Sequence, residues 1–304
     1  MPEEKVVLTP FALKDTPALI ETVFPAQKVS FEAQSERKAV AAQTLTGLGS
    51  YWKGRKPQTL VRAIVLGCLL PATDDGKADL AIFEKLMAFD DEGLARRALA
   101  ASAYSAAKLR GLVPIVDHER YFVGHGWRRG ITNDDKLPLY RQALATLPSY
   151  EHKASIGKRP EEVSQDWLYA PVWPDVNRYY AHLGINVHSF SELIEQFGIL
   201  RYGHRLHVGD TFSGGGSIPF EAARIGCHAY ASDINPVACM LTWGALNIIG
   251  ASAEKRAILE DAQQQVFAAV DRELVQLNIE HDAKGNRAKA YLYCLEVRCP
   301  ETGW

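Results

Sequence analysis

The stretch that most constrains the fold of this chain is residues 208–236, V-G-D-T-F-S-G-G-G-S-I-P-F-E-A-A-R-I-G-C-H-A-Y-A-S-D-I-N-P. An apolar segment leads into three glycines, a helix-like run ends at Gly226, and a second apolar segment ends at Asp233. This order predicts a strand, a glycine turn, a helix and a second strand, as in the first half of a doubly wound α/β fold. Such folds bind ligands beyond the carboxyl ends of their strands, so the glycine turn is the predicted ligand site.

Two cofactor classes fit a glycine turn of this kind. The dinucleotide fingerprint is G-x-G-x-x-G with an acidic residue about 20 residues further on. Here Pro219 replaces the third glycine, and the carboxylate of Asp210 would repel a pyrophosphate. S-adenosylmethionine contains no pyrophosphate and needs only two glycines, which favours it; a glycine turn that binds no ligand is the remaining alternative. The residues of the matching pattern D-x-F-x-G-x-G are Asp210, Phe212, Gly214 and Gly216.

The acidic residue after the second predicted strand is Asp233, which lies 17 residues after Gly216. A carboxylate at this place can accept hydrogen bonds from both ribose hydroxyls of a bound adenosine. Asn235 and Pro236 then have the residue types of a helix cap and a first helical residue. The carboxylate is therefore predicted to lie between a strand end and a helix start, close to the glycine turn.

Composition sets the wider bounds. The 304 residues are enough for two domains, and 47% hydrophobic with 23% charged residues is ordinary for a globular protein. No apolar run reaches the length of a membrane span, and the acidic start M-P-E-E is unlike a secretory signal. Five cysteines, an odd number, favour a reducing compartment over a disulfide framework. Together these features predict a cytoplasmic protein.

The net charge of −2 means that any contact with nucleic acid needs a local basic patch. Residues 28–62 are a candidate, because seven basic residues face two acidic ones there, a local excess of five. This segment contains the motif W-K-G-R-K-P, in which the indole of Trp52 could stack on a base. The alternatives are a solvated helical face and a tryptophan that anchors the core. The cations predicted to bind phosphate are Arg55, Lys56 and Arg62.

The rest of the chain divides at about residue 165. Residues 1–165 are predicted to be mostly helical, with β content in the glycine- and aromatic-rich stretch 113–131. In residues 166–304, helices lead into the glycine turn, and an amphipathic helix follows it up to Leu277. Alternation from Tyr291 to Val297 then predicts a further strand.

The glycine-turn segments G-D-T-F-S-G-G-G-S-I-P-F-E-A-A-R and A-S-D-I-N-P occur together with three N-terminal features. These are F-P at residues 24–25, the W-K-G-R-K-P motif with R-A at 62–63, and L-L-P at 69–71. With them, most of the chain resembles a family of adenine-specific DNA methylases often found in anti-phage defence loci. That family joins an N-terminal domain of unknown function to a methyltransferase domain with a zinc-ribbon insertion. The glycine-turn match is specific to class I methyltransferases.

The resemblance implies a mostly helical domain at residues 1–165 and the first half of a Rossmann-like, class I methyltransferase domain at residues 166–304. The implied reaction is methyl transfer from S-adenosylmethionine to the exocyclic amine of adenine in DNA, with the base flipped out of the duplex. The implied cofactor contacts are Phe212, Gly214 and Gly216 at the methionine and ribose side, Asp233 at the ribose, and Ile234 at the adenine.

Two features of such enzymes are incomplete in this sequence. The loop (Asp/Asn)-Pro-Pro-(Tyr/Phe), which binds the target amine and stacks on the flipped base, is absent from the 304 residues. Cys294 and Cys299 stand where the resemblance implies a zinc ribbon, but a ribbon needs a second ligand pair and none follows. These two cysteines are either half of a metal site or ordinary thiols.

Three functions therefore remain open. The first is the N-terminal portion of a DNA adenine-N6 methyltransferase, which alone would transfer little or no methyl because its base-binding loop is missing. The second is a non-catalytic subunit that binds S-adenosylmethionine or DNA and complements a partner chain. The third is methyl transfer to RNA or protein, since the cofactor half does not specify the acceptor.

Overall fold

The computed structural model describes residues 8–38, 52, 54–114, 118–288 and 300–302. Within these residues the fold is mixed α/β, with many helices and short strands. The chain divides into two compact units, Met1–Gly250 and Ala251–Trp304. The coarse α/β class and the helical character of the N-terminal region are thereby confirmed.

The first unit is built mainly from helices. Before the glycine turn these are α1 (Ala26–Lys38), α2 (Gln58–Leu69), α3 (Gly76–Met87), α4 (Asp91–Ala100), α5 (Ala106–Leu112), α6 (His118–Tyr121), α7 (Asn133–Ala145), α8 (Tyr150–Ser155), α9 (Gln165–Tyr169), α10 (Val172–Tyr179) and α11 (Phe190–Tyr202). Two helices follow the turn, α12 (Ser217–Arg224) and α13 (Pro236–Gly244), and a π-helical turn at Ala245–Ile249 extends the second.

Residues 113–131 contain the predicted β structure as a small antiparallel hairpin. Its strands are β1 (Phe122–Val123) and β2 (Gly126–Trp127), with Phe122 paired to Trp127. The rings of these two residues stack with centroids 5.1 Å apart, so the hairpin is held by an aromatic cross-strand pair.

The second sheet is the one that positions the glycine turn. It consists of the parallel strands β3 (His207–Asp210) and β4 (His228–Ala231), with Asp210 opposite Ala231. The helix α12 connects them, so strand, turn, helix and strand follow in the predicted order. Because parallel strands end at the same edge, the turn after β3 and the residues after β4 are neighbours.

Two hydrophobic clusters form the core of the first unit. The larger one combines α1, α2, α3, α9, α10 and α11 with Ala222 of α12 and with Ile225 directly after it, while the smaller one lies among α4, α5, α7 and α8. The larger cluster therefore contains residues from both sides of position 165. The division into sequence domains at that position stays a prediction.

The second unit contains α14 (Ala253–Leu277), the predicted helix after the glycine-turn segment. None of its residues is buried, and apolar side chains such as Val266 and Phe267 are exposed. The strand predicted from Tyr291 to Val297 lies outside the described residues. In the described part of the chain, no single helix is long and apolar enough to cross a membrane. Only when α13 with its π turn is taken together with α14 do the length and composition reach those of a membrane span.

Candidate functional site

The glycine turn has the backbone that its sequence predicts. Gly214 and Gly216 have φ angles of 50° and 76°, a backbone conformation that residues with a Cβ rarely adopt. The main-chain N–H of Gly216 donates to the Ser213 carbonyl over 2.8 Å, which closes the turn. A Cβ on Gly216 would lie 2.9 Å from the Cα of Thr242, so close packing of α13 also requires glycine there.

Asp233 connects the end of β4 to this turn. Its Oδ2 accepts a hydrogen bond from the main-chain N–H of Gly214 (2.9 Å), and its Oδ1 accepts one from that of Asn235 (2.9 Å). These backbone donors, Asn235 first and Gly214 second, lower the pKa of the Asp233 carboxyl, so the group is ionised at neutral pH. Each carboxylate oxygen keeps a further lone pair, so the group can still accept bonds from a ligand.

The other predicted cofactor residues lie around the same edge of the sheet. Asp210 ends β3, and its Oδ1 accepts a hydrogen bond from the main-chain N–H of Phe212 (3.1 Å). The side chains of Phe212 and Ile234 are 84% and 96% exposed, which leaves both free to contact a bound molecule. The structure thus brings the six predicted cofactor residues to one place: Asp210, Phe212, Gly214, Gly216, Asp233 and Ile234.

The W-K-G-R-K-P motif meets the glycine turn, which the sequence did not predict. Trp52 lies so close to the turn that a Cβ on Gly214 would be 2.6 Å from the indole Nε1. Between the two segments is a cavity of about 360 Å³. It is lined by Trp52, Arg55 and Lys56 from the motif and by Asp210, Phe212 and Ser213 from the turn, among others.

Glu36 of α1 fixes the motif where it enters α2. The carboxylate is buried and accepts hydrogen bonds from the main-chain N–H groups of Gln58 (2.8 Å) and Thr59 (3.0 Å). N–H groups in the first turn of a helix have no partner within the helix, and the preceding Pro57 has no side-chain acceptor to cap them. A carboxylate from a neighbouring helix therefore takes the role of the cap, while burial raises its pKa.

Arg62 is not exposed to phosphate, which corrects the expectation that it binds nucleic acid. The side chain is buried, its Nε donates to Glu221 Oε1 over 2.9 Å, and its Nη1 donates to the Tyr169 hydroxyl over 2.6 Å. Glu221 lies on α12 and is fully buried, where Arg224 also pairs with it at 2.7 Å. The guanidinium is therefore an internal link between α2 and the helix that follows the glycine turn.

The remaining basic residues of the predicted patch differ in their surroundings. The amine of Lys28 forms an ion pair with Glu84 at 2.5 Å, so its charge already has a partner. Arg55 makes a long hydrogen bond of 3.5 Å from Nη2 to the Glu36 carbonyl. Lys56 is exposed, and its amine has no partner among the described residues. Contact of Trp52, Arg55 and Lys56 with nucleic acid stays a prediction.

Four of the five cysteines lie within or after the glycine-turn segment. The positions of Cys227 and Cys239 inside the strand–turn–helix segment predict two small core residues. Cys227 is buried, which confirms the prediction, and burial raises its pKa to about 12. For Cys239 the prediction is wrong: this residue is exposed, and its thiol donates to the Asp233 carbonyl over 3.3 Å. The predicted metal ligands Cys294 and Cys299 lie outside the described residues. Among the described residues, no group of three or more histidine, cysteine or acidic side chains could hold a metal ion.

Several residues that support the site escaped sequence reasoning. Glu36, Glu221 and Thr242 act through partners that are distant in sequence, and the bond from Thr242 Oγ1 to Ser213 Oγ (3.1 Å) is one example. A buried glutamate can be recognised in a sequence only when its partner is known. For Glu221 the sequence does contain one signal of burial, because this residue lies next to apolar residues in the helix after the glycine turn.

Comparison with known protein families gives a match in the N-terminal region. Residues 23–86 match a family described as a protein of unknown function (DUF1156). The match contains α1, α2 and the W-K-G-R-K-P motif, and its description assigns no activity. No curated protein and no solved structure matches the chain.

Proposed function

We propose that this chain binds S-adenosylmethionine at the glycine turn, as part of a DNA methyltransferase that acts on the N6 amine of adenine. The observation that carries the cofactor assignment is the 2.9 Å contact between Asp233 and the main chain of Gly214. It joins an ionised carboxylate after the second parallel strand to a glycine turn after the first, the arrangement in which adenosine ligands are bound.

In this proposal, the unit β3–α12–β4 is the first half of a Rossmann-like methyltransferase domain. Asp233 accepts hydrogen bonds from the ribose hydroxyls, and the exposed Ile234 packs against the adenine. Gly214 and Gly216 present their main chain to the ligand, with Phe212 beside them. The cavity of about 360 Å³ would take the methionine moiety, because Asp210, Phe212 and Gly214 line it while Asp233 and Ile234 do not.

The choice of S-adenosylmethionine over a dinucleotide depends on two residues. Pro219 stands in the first turn of α12, where a dinucleotide fold has its third glycine. Asp210 lines the cavity and would oppose the negative charge of a pyrophosphate, whereas it suits the positively charged amine of the methionine moiety. Bound S-adenosylmethionine would supply the activated methyl group.

The assignment of adenine in DNA as acceptor follows the resemblance of the sequence to anti-phage DNA methylases. These 304 residues lack the (Asp/Asn)-Pro-Pro-(Tyr/Phe) loop. In this proposal the target base is therefore bound by residues that are not among these 304. Zinc binding at Cys294 and Cys299 belongs to the same proposal. RNA or protein as acceptor is the alternative on the same scaffold.

A second candidate function is that of a subunit completed by a partner chain, and the exposed face of the β3–β4 sheet favours it. Parallel sheets are normally covered on both faces. Here α12 packs against one face, while His207, His228 and Tyr230 on the other face are exposed, Tyr230 to 80%. A partner that carries the base-binding loop would cover this face.

Calorimetric titration with S-adenosylmethionine and with NAD tests the cofactor assignment. We expect saturable binding of S-adenosylmethionine and no heat of binding with NAD at the same concentrations, because Pro219 and Asp210 disfavour a pyrophosphate. Binding of NAD without binding of S-adenosylmethionine would contradict the proposal.

Transfer of labelled methyl groups to adenine-containing DNA tests the role of the missing loop. We expect little or no transfer by the purified 304-residue polypeptide, even when it binds the cofactor. Robust transfer by this polypeptide alone would show that another segment of it binds the target base. An RNA substrate and a protein substrate serve as the comparison for acceptor class.

A further inference from the structure

The cavity at the glycine turn is lined by side chains of opposite charge that come from distant parts of the chain. Asp210, at the end of β3, contributes a carboxylate to the lining. Arg55 and Lys56, which precede α2, contribute two cations. A cavity lined by both acidic and basic groups is complementary to a zwitterion, in which an ammonium and a carboxylate are a few bonds apart.

Neither cation has an ion pair with a described residue, but the two differ in their hydrogen bonds. The guanidinium of Arg55 makes one long bond of 3.5 Å to the carbonyl of Glu36, a residue that also caps α2 through Gln58 and Thr59. Lys56 is exposed and has no partner in the described part of the chain. An ammonium group on a flexible stem can therefore turn toward an anion in the cavity without breaking an existing contact.

The backbone on which Lys56 stands is fixed on both sides. On the C-terminal side, the buried carboxylate of Glu36 anchors the start of α2. On the N-terminal side, the indole of Trp52 lies against Gly214 of the turn. Arg55 and Lys56 are thus positioned beside the glycine turn by contacts that form without a ligand, as expected of a preorganised site.

We propose that Lys56 binds the α-carboxylate of the methionine moiety of S-adenosylmethionine, opposite Asp210 at the α-ammonium. This inference rests on the proposed cofactor assignment and extends it to the N-terminal region, which then supplies part of the cofactor site. The segment predicted to hold phosphate would instead select a cofactor that carries an amino-acid carboxylate. Trp52 covers the turn beside it.

The test compares S-adenosylmethionine with its decarboxylated analogue, which keeps the adenosine, the sulfonium and the amine. We expect the unaltered protein to bind S-adenosylmethionine more tightly than the analogue, by about tenfold for one charge-assisted hydrogen bond. Lys56→Ala should remove this preference by weakening S-adenosylmethionine alone, and Lys56→Arg should retain it. Arg37→Ala is the control, because Arg37 is an exposed cation of the same region that does not line this cavity.

The outcomes separate this inference from the proposed function. If the unaltered protein binds S-adenosylmethionine and Lys56→Ala leaves the preference over the analogue intact, the role of Lys56 is wrong and the cofactor assignment stands. Equal weakening of both ligands by Lys56→Ala would also overturn the carboxylate contact. If the unaltered protein binds neither ligand, both the cofactor assignment and the role of Lys56 are wrong.

Discussion

Replacing Arg62 by alanine is expected to lower the free energy of unfolding by about 3–5 kcal/mol, the usual cost of breaking a buried ion pair. The variant would leave Glu221 fully buried with Arg224 as its remaining cation, and it would remove the partner of the Tyr169 hydroxyl. It would also leave a space beside the ring of Phe190, which the guanidinium faces at 5.1 Å. Chemical denaturation followed by circular dichroism measures this loss.

Two further variants make the Arg62 result specific. Arg62→Lys should recover little of the stability, because an ammonium cannot bond Glu221 and Tyr169 in the fork that Nε and Nη1 form. Arg178→Ala, which removes an exposed pair with Asp175, should cost less than about 1 kcal/mol. A loss below about 1 kcal/mol for Arg62→Ala would show that the link between α2 and α12 contributes little.

Replacing Asp233 by alanine is expected to weaken binding of S-adenosylmethionine about 100-fold, because two charge-assisted hydrogen bonds to the ribose are lost. The change also removes the bonds to the main chain of Gly214 and Asn235, which shape the turn. Asp233→Asn should be intermediate, since an amide keeps one acceptor oxygen. Asp75→Ala is the matched control: Asp75 likewise accepts a main-chain hydrogen bond, but at the start of α3 and not at the glycine turn.

The lowered pKa of Asp233 determines the pH range over which its carboxylate stays ionised. Main-chain donors lower the pKa of its carboxyl below the ordinary aspartate value. Its contribution to the turn is therefore fully present above the unfolded pKa and is lost only as the pH falls through the lowered folded pKa. Across neutral pH, no loss of binding should come from protonation of Asp233.

The local geometry of the glycine turn could be predicted from 29 consecutive residues. Positive φ angles at Gly214 and Gly216, Asn235 as the cap of α13, and parallel strands on either side of α12 all depend on neighbours in sequence. Glycine, proline and asparagine at fixed spacings determine such features through their own backbone preferences.

Contacts between distant segments could not be predicted in the same way. Arg62 looked like a phosphate-binding residue because its counter-charge, Glu221, is 159 residues away. Glu32 looked like part of the same charged surface, yet it is buried in a bidentate pair with Arg97. The sequence of a basic segment shows its charges but not their partners, so Lys56 could be distinguished from Arg62 only in the structure.

The same limit applies to residues 92–107, whose alanine content and periodicity predict a helix. The structure contains two helices, α4 and α5, because Ser102 adopts a left-handed φ of 51° and Ser105 caps a new helix by accepting from Lys108 N–H. The alanine content of this stretch hid the break. Helical periodicity identified the region, and side-chain capping decided where its helices end.

Calorimetric titration of S-adenosylmethionine into the unaltered protein and into Asp233→Ala, with Asp75→Ala in parallel, tests most directly whether the glycine turn is a cofactor site. The predicted result is saturable binding by the unaltered protein and by Asp75→Ala, with a dissociation constant about 100-fold larger for Asp233→Ala. Equal binding by all three proteins would contradict the assignment of Asp233, and no binding by the unaltered protein would contradict the site itself.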